Sequence, residues 1–261
     1  MMKWMKQLAE DVLGKRLARL SELTESDMLA LRASSLGSIR SMDARSDLIR
    51  EGDPTRAVFL IVSGWAARYK MLEDGRRQTV ALLLPGDLCD LNNNFLSEMD
   101  HSIGTLTPVR YVEISHRVVE RLSQEYPRIA TALWIQLLAT VSIQREWVVN
   151  IGQRTALERI GHLFCELCVR LQLVGLANTS GFDMPITQQD IADAAGLTSV
   201  HINRTLKEMR AQHLIVLENR SVKIPDFDAL AQASLFTPAY LHLRPASQSS
   251  PAPPGLGLTA P

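Results

Sequence analysis

The sequence predicts an α+β chain with three parts: an N-terminal antiparallel β barrel or sandwich, a long connecting helix, and a C-terminal helix–turn–helix with a hairpin wing. Three observations predict it. Gly52, Gly64, Gly75 and Gly86 punctuate apolar or alternating runs at intervals of 11 or 12 residues, the rhythm of short antiparallel strands. The stretch YPRIATALWIQLLATVSIQREWVVNI is helical in pattern, apolar on more than one face, and has Pro127 in its first turn. The stretch PITQQDIADAAGLTSVHINRTLKEMR joins two short helical patterns through Ala195-Gly196-Leu197, which leaves room only for a tight turn.

Taken in order, residues 1–19 read as an amphipathic helix. Trp4, Leu8, Val12, Leu13, Leu17 and Leu20 form a stripe beside Lys3, Lys6, Lys15, Arg16 and Arg19, as expected of a helix docked on its own domain. Charges interrupt it too often for a signal peptide. No apolar run approaches the ~18 residues of a membrane span, so no membrane partner is expected. Residues 20–125 form the β-rich domain. Ala57–Val62 is a buried strand; Ala66–Leu72 and Gln78–Leu84 flank the Asp74-Gly75 hairpin signal, and Pro85-Gly86-Asp87 ends that hairpin.

The connecting helix covers 126–152. Ile129, Leu133, Leu137, Val141, Val148 and Ile151 make one stripe, interrupted by Gln144, with Trp134, Leu138 and Trp147 outside it. A helix apolar on two sides needs two surfaces: the β domain and a second copy of the chain, with Leu137 expected in the seam between copies. An internal core helix is the alternative reading. Residues 153–227 hold the Arg154–Leu173 helix, the loop GLANTSGFD, the helix–turn–helix, and strands Leu214–Leu217 and Val222–Ile224 around ENRS. Residues 237–261 carry six of the 12 prolines and read as a disordered tail.

Composition narrows the function. With 261 residues, 46% hydrophobic and 21% charged, the chain has ample material for a core. Its 28 basic and 28 acidic residues cancel, so any nucleic-acid site must be local. Three cysteines without framework spacing exclude a disulfide scaffold and suit the reducing cytoplasm. No nucleophile–base pair, phosphate loop or metal-hydrolase motif is present, so an enzyme is not expected.

The helix–turn–helix has its own chemistry. Thr187 and Asp190 make a capping-box-like start, Gly196 permits the sharp turn, and Thr198 caps the second helix. On that helix Ile202, Leu206 and Met209 face the core, while Val200, Asn203, Arg204 and Lys207 point outward, with Ser199 at the exposed start. An amide, a guanidinium, an ammonium and an apolar contact are the inventory for reading base edges and phosphates in a major groove. Lys207, a point charge further along, is a phosphate contact.

ITQQDIADAAGLTSVHINRTLKEMR followed by LIVLENRSVKI resembles the winged helix of Crp/Fnr-type bacterial transcription regulators. The Gly-spaced segment resembles their cyclic-nucleotide-binding-like jelly roll, and the long helix matches their dimerisation helix in position. The resemblance spans about Leu20 to Phe227. It implies a homodimer on a two-fold operator in double-stranded DNA, with RNA polymerase as a candidate partner. By resemblance Ser199, Val200 and Arg204 read bases with Asn203 adjacent, and Gln188, Gln189 and His201 meet phosphates. The chain departs at Val200, where many members carry Glu. A ligand-sensing module whose helix–turn–helix makes protein contacts is the alternative, since Gly152–Pro225 is nearly neutral.

The sensor's ligand is less defined. Members that bind a cyclic nucleotide resemble one another in a Gly-Glu pair followed by an Arg. The matching stretch here, PGDLCDLNNNFLSEMDHSIGTLTPV, has Asp87, Asp90, Glu98 and Asp100 but no Lys or Arg between Gln78 and Val109. An anion would meet carboxylates with nothing to offset them, so a cyclic nucleotide is not expected, and the effector is an unknown small molecule or none. Gly86, Asp87, Asp90 and His101 are the candidate effector-pocket residues. Iron–sulfur members use four cysteines where this chain has three. His162, Cys165 and Cys168, spaced on one helix, read as buried structural residues, so no metal or cofactor is expected.

Overall fold

A computed structural model describes residues 11–34, 37–55, 57–91 and 95–244. Its architecture is the expected one: an antiparallel β-roll, a long helix and a C-terminal helix–turn–helix with a wing. Helix α1, residues 11–18, and α2, Glu25–Ala33, cover one side of the roll. Leu13, Leu17 and Leu31 share a core with Val58, Leu60, Val112 and Ile129. Arg16 departs from the amphipathic reading: it lies on the buried side, 4% exposed.

Among the described residues the roll has eight strands: β1 (Ile39–Met42), β2 (Asp47–Ile49), β3 (Val58–Ser63), β4 (Ala66–Met71), β5 (Arg77–Leu83), β6 (Leu88–Cys89), β7 (Ser102–Thr105) and β8 (Val109–Ile114). They form two antiparallel sheets, ordered β1-β8-β3-β6 and β2-β7-β4-β5. Strand β3 is apolar from Val58 to Val62, with only Ser63 polar at its end, because both its faces are covered. Phe59 and Ile61 point between the sheets with Ile49, Ile103 and Tyr111, whereas Val58, Leu60 and Val62 meet the helices.

Helix α3 (His116–Glu125) leads into α4 (Pro127–Gln153). The buried face of α4 is not the stripe expected from its apolar spacing. Ile129, Ala132, Gln136, Ala139, Ile143, Trp147 and Asn150 point inward. Small residues permit close packing there, and the two amides are buried because they find partners: Gln136 accepts from Arg16 at 3.0 Å and Asn150 donates to the Arg159 carbonyl at 3.2 Å. Leu137, expected in a seam between copies, is half-buried and lines a cavity against the roll. Solvent meets Trp134 (61% exposed), Leu138 (56%) and Val148 (72%).

Beyond α4, helix α5 (Ala156–Gln172) is the centre of the C-terminal core, which reaches Trp65, Leu82 and Leu84 of the roll. The wing is larger than the expected hairpin. Strands β9 (Ala177–Asn178) and β10 (Gly181–Asp183), read as loop from sequence, extend β11 (Val216–Glu218) and β12 (Ser221–Lys223) into a four-stranded sheet. Helices α6 (Gln188–Ala195), α7 (Ser199–Ala211) and α8 (Phe227–Ala233) complete the domain.

The expected tail needs correction at its start. Pro238–Leu241 forms a 3-10 turn, Leu241 is buried, and Tyr240 donates to Glu166 at 3.0 Å. Leu243 packs on both large cores, and the Arg244 N–H donates to the Arg19 carbonyl at 3.0 Å. Aromatic and aliphatic residues at 236–243 thus outweigh the proline content. The rest of that expectation, 245–261, lies outside the described residues, as do residues 1–10 of the first helix. Among the described residues, no helix is long and apolar enough to cross a membrane.

Candidate nucleic-acid interface

Local chemistry fixes the helix–turn–helix. Thr187 accepts from the Asp190 N–H at 3.2 Å, and Asp190 Oδ2 accepts from the Thr187 N–H and hydroxyl at 2.8 and 2.7 Å. That reciprocal cap starts α6. Gly196 ends it in the left-handed region at φ 62°, where a side chain would be strained, and the Leu197 N–H returns to the Ala192 carbonyl at 3.0 Å. Thr198 then caps α7, accepting from the His201 N–H at 3.3 Å.

Ile202, Thr205, Leu206 and Met209 are buried under α7. Its outer face presents Ser199, Val200 (77% exposed), His201, Asn203, Arg204 and Lys207 to solvent. Two hydrogen bonds connect this face to the start of α6. Ser199 donates to Gln189 Oε1 at 2.5 Å, and Asn203 donates to Gln188 Oε1 at 3.5 Å. The structure therefore brings Gln188, Gln189, Ser199 and Asn203 onto one surface. Among the described residues, none hydrogen-bonds or ion-pairs with the side chains of His201, Arg204 or Lys207. Arg220 belongs to the ENRS turn of the wing. With Asn219 it forms the tip of the wing, both at positive φ (60° and 48°), and its side chain is exposed. The ENRS turn between two apolar runs was the signal that could have found it.

The candidate effector residues divide into two buried clusters. Gly86, at φ 93°, is a point of close approach: a Cβ there would stand 2.8 Å from Val174 and 3.3 Å from Val12. Asp87 is the hub of the first cluster. Its Oδ2 accepts from Arg170 at 2.5 Å and from the Leu84 N–H at 2.8 Å, and Arg16 stands 3.4 Å from Oδ1. Arg170 also donates to Glu166 at 2.9 Å, which accepts from Trp147 at 3.1 Å. Burial works against the Arg170 charge, but Asp87 and Glu166 outweigh it and hold its pKa above the ordinary value.

In the second cluster Arg68 donates to Asp90 at 2.8 Å and, through Nε, to His101 Nε2 at 2.9 Å. That donor requires Nε2 to accept, so Nδ1 carries the proton and donates to Asp100 at 2.6 Å. Burial disfavours the Asp90 carboxylate, yet the Arg68 guanidinium keeps its pKa below the usual range. The cavity beside it, about 190 Å³, is completed by Leu137, Thr140, Val141 and Gln144 of α4. These clusters correct the expectation that the carboxylates stand uncompensated. Their guanidiniums come from outside the segment read for charge: from α1, β4 and α5.

The cysteines do not fit a shared metal cluster. Cys89 lies in the roll core and Cys165 and Cys168 in the C-terminal core; burial pushes Cys165 to about 12 and Cys168 to about 11, so both thiols stay protonated. Burial, with Arg154 nearby, lowers the His162 pKa to about 3, leaving a neutral ring stacked on Tyr240 at 5.6 Å.

Comparison with known proteins agrees with this layout. Residues 158–233 match the Crp-like helix-turn-helix domain and residues 39–126 the cyclic nucleotide-binding domain. The chain is 31% identical over 193 residues to the transcriptional activatory protein AadR of Rhodopseudomonas palustris, covering 71% of this chain and 78% of that protein. It is 29% identical over 197 residues to the transcriptional activator protein FnrL of Cereibacter sphaeroides, covering 74% and 79%. The structure of FixK2 from Bradyrhizobium japonicum shares the fold, with a TM-score of 0.67 at 23% identity, over 75% of this chain and 96% of FixK2.

Proposed function

This chain belongs to the Crp/Fnr family of transcription regulators, and on that premise we propose that it acts as a homodimer reading a two-fold operator in double-stranded DNA. It is a helix–turn–helix regulator and not an enzyme. The observation that carries the operator reading is the outer face of α7, where Asn203, Arg204 and Lys207 are exposed. Arg204 suits guanine O6 and N7, with Asn203, Ser199 and Val200 completing the base-reading set. Gln188, Gln189, His201, Lys207 and the wing's Arg220 meet phosphates.

Trp134, Leu138, Val141, Arg145 and Val148 recur alternately four and three residues apart along α4, and this stripe is the seam for the second copy. Selection of the purified protein against a random duplex library tests the reading. Enrichment of a two-fold motif supports it. No enrichment at low salt favours a helix–turn–helix that contacts protein instead.

The sensor is proposed not to take a cyclic nucleotide, because Arg16, Arg68 and Arg170 already face the chain's own carboxylates. A phosphate would have to displace them from buried, hydrogen-bonded pairs. Calorimetric titration with cyclic AMP and cyclic GMP is expected to show no heat of binding; saturable binding overturns this part alone.

A further inference from the structure

Helix α6 is gripped from outside its own domain. Arg45, in the β1–β2 turn of the roll, donates from Nη1 to Asp190 Oδ1 at 2.5 Å and from Nη2 to Oδ2 at 2.8 Å. This is the two-pronged fit that a guanidinium makes and an ammonium cannot. Gln78 of β5 donates to the Asp193 carbonyl at 2.8 Å, and from within the domain Arg159 of α5 donates to the Ala195 carbonyl at 2.9 Å. Arg45 is itself fixed: its N–H donates to the Thr105 carbonyl of β7 at 2.9 Å, and its φ is 63°. The carboxylate it holds is the one that caps α6 through Thr187. The two residues after that cap, Gln188 and Gln189, bond Asn203 and Ser199 of α7.

A continuous path of polar contacts therefore runs from the roll to the face that meets DNA. A displacement of the β1–β2 turn relative to α6 must either break the Arg45 fork or carry the cap with it. We propose that Arg45 is a positioning residue for operator reading: its fork on Asp190 sets where α7 stands relative to the roll, and through that the half-site spacing the dimer accepts. This rests on the reading of α7 as the base-reading helix of a dimer, in which half-site separation mirrors the separation of the two recognition helices. Without the fork, the docked arrangement is one of several, and apparent affinity falls by the fraction of molecules that hold it.

Arg45 is half exposed and contributes to no core, so its removal leaves the fold standing. The test compares Arg45→Ala and Arg45→Lys with a control, Arg40→Ala, which opens an exposed pair with Glu113 elsewhere on the roll. Two readouts are used on the full chain. One is affinity for the selected operator and for versions with the half-sites moved by one base pair. The other, without DNA, is the distance distribution between spin labels at Arg110→Cys on the roll and Gln212→Cys at the end of α7, the native cysteines being buried.

Arg45→Ala should weaken the preferred operator about tenfold, flatten the spacing preference, and broaden the label distances. Arg45→Lys should recover part of the affinity but not the spacing preference, and Arg40→Ala should change neither. An Arg45→Ala protein with wild-type spacing preference and label distances overturns the proposal. A wild-type protein that selects no two-fold operator overturns the spacing claim through its premise. The label distances separate that outcome from a failure of Arg45 itself.

Discussion

Around the roll, the guanidiniums of Arg16, Arg68 and Arg170 are buried and each faces a carboxylate; on α7, Arg204 stands in solvent and no described residue pairs with it. The same side chain serves opposite ends. In the first region the partners are supplied by distant segments of the chain, so the charges join α1, the roll and α5 into one body. In the second the partner has been left out. A charge the fold does not satisfy is available to a ligand, and here the unsatisfied cations lie on the face whose chemistry suits DNA.

Removing one side of a buried pair should break this contrast most forcefully. Asp87→Ala leaves buried Arg16 without its carboxylate and Arg170 with Glu166 alone, and chemical denaturation should show a loss of about 3–5 kcal/mol. A loss under 1 kcal/mol would mean that the cluster is tolerated and does not hold the segments together. Next in size, Leu138→Lys places a charge in the proposed seam without touching the roll. Sedimentation should show monomer and operator affinity should fall, whereas an unchanged mass would remove the seam from α4's outer face.

On the unpaired side, Arg204→Ala should cost about 1–3 kcal/mol on the selected operator and relax preference at one base pair per half-site. If it weakens every duplex alike, Arg204 is a phosphate contact and the docking of α7 is wrong. His162 provides a pH test of the buried side. Its pKa of about 3 lies below that of the unfolded chain, so the unfolded state takes up a proton first as pH falls. Stability should therefore decline by about 1 kcal/mol per pH unit between about pH 6.5 and 3, and His162→Phe should flatten that decline. Smallest of all, Lys207→Ala should weaken all sequences about equally and reduce the salt slope by about 1 per monomer.

Legibility followed the range of the interactions. The helix–turn–helix could be read because its determinants are local: Thr187 with Asp190, Gly196 in the turn, Thr198 at the second cap, and Ile202, Leu206 and Met209 one helical turn apart. The Asp74-Gly75 hairpin was legible for the same reason. Arg16 was not, because a wheel assigns every charge to solvent and its partners lie 71 and 120 residues away in the chain. The inward face of α4 was hidden because Gln136 and Asn150 are polar until Arg16 and the Arg159 carbonyl are placed beside them. Strand β10 is hidden because its near partner, β9, is only two residues long and its other partner, β12, lies some 40 residues further on.

The hydrogen bond from the Arg244 N–H to the Arg19 carbonyl has a consequence for the order of synthesis. Leu243 completes the packing between the core beneath α1 and the core around α5. Helix α1 therefore cannot take up this contact until residues 243 and 244 have been made, after the roll, α4 and α5. The latch spans most of the chain, so its closure is among the most non-local contacts of the fold, the kind that costs the most loop entropy to form.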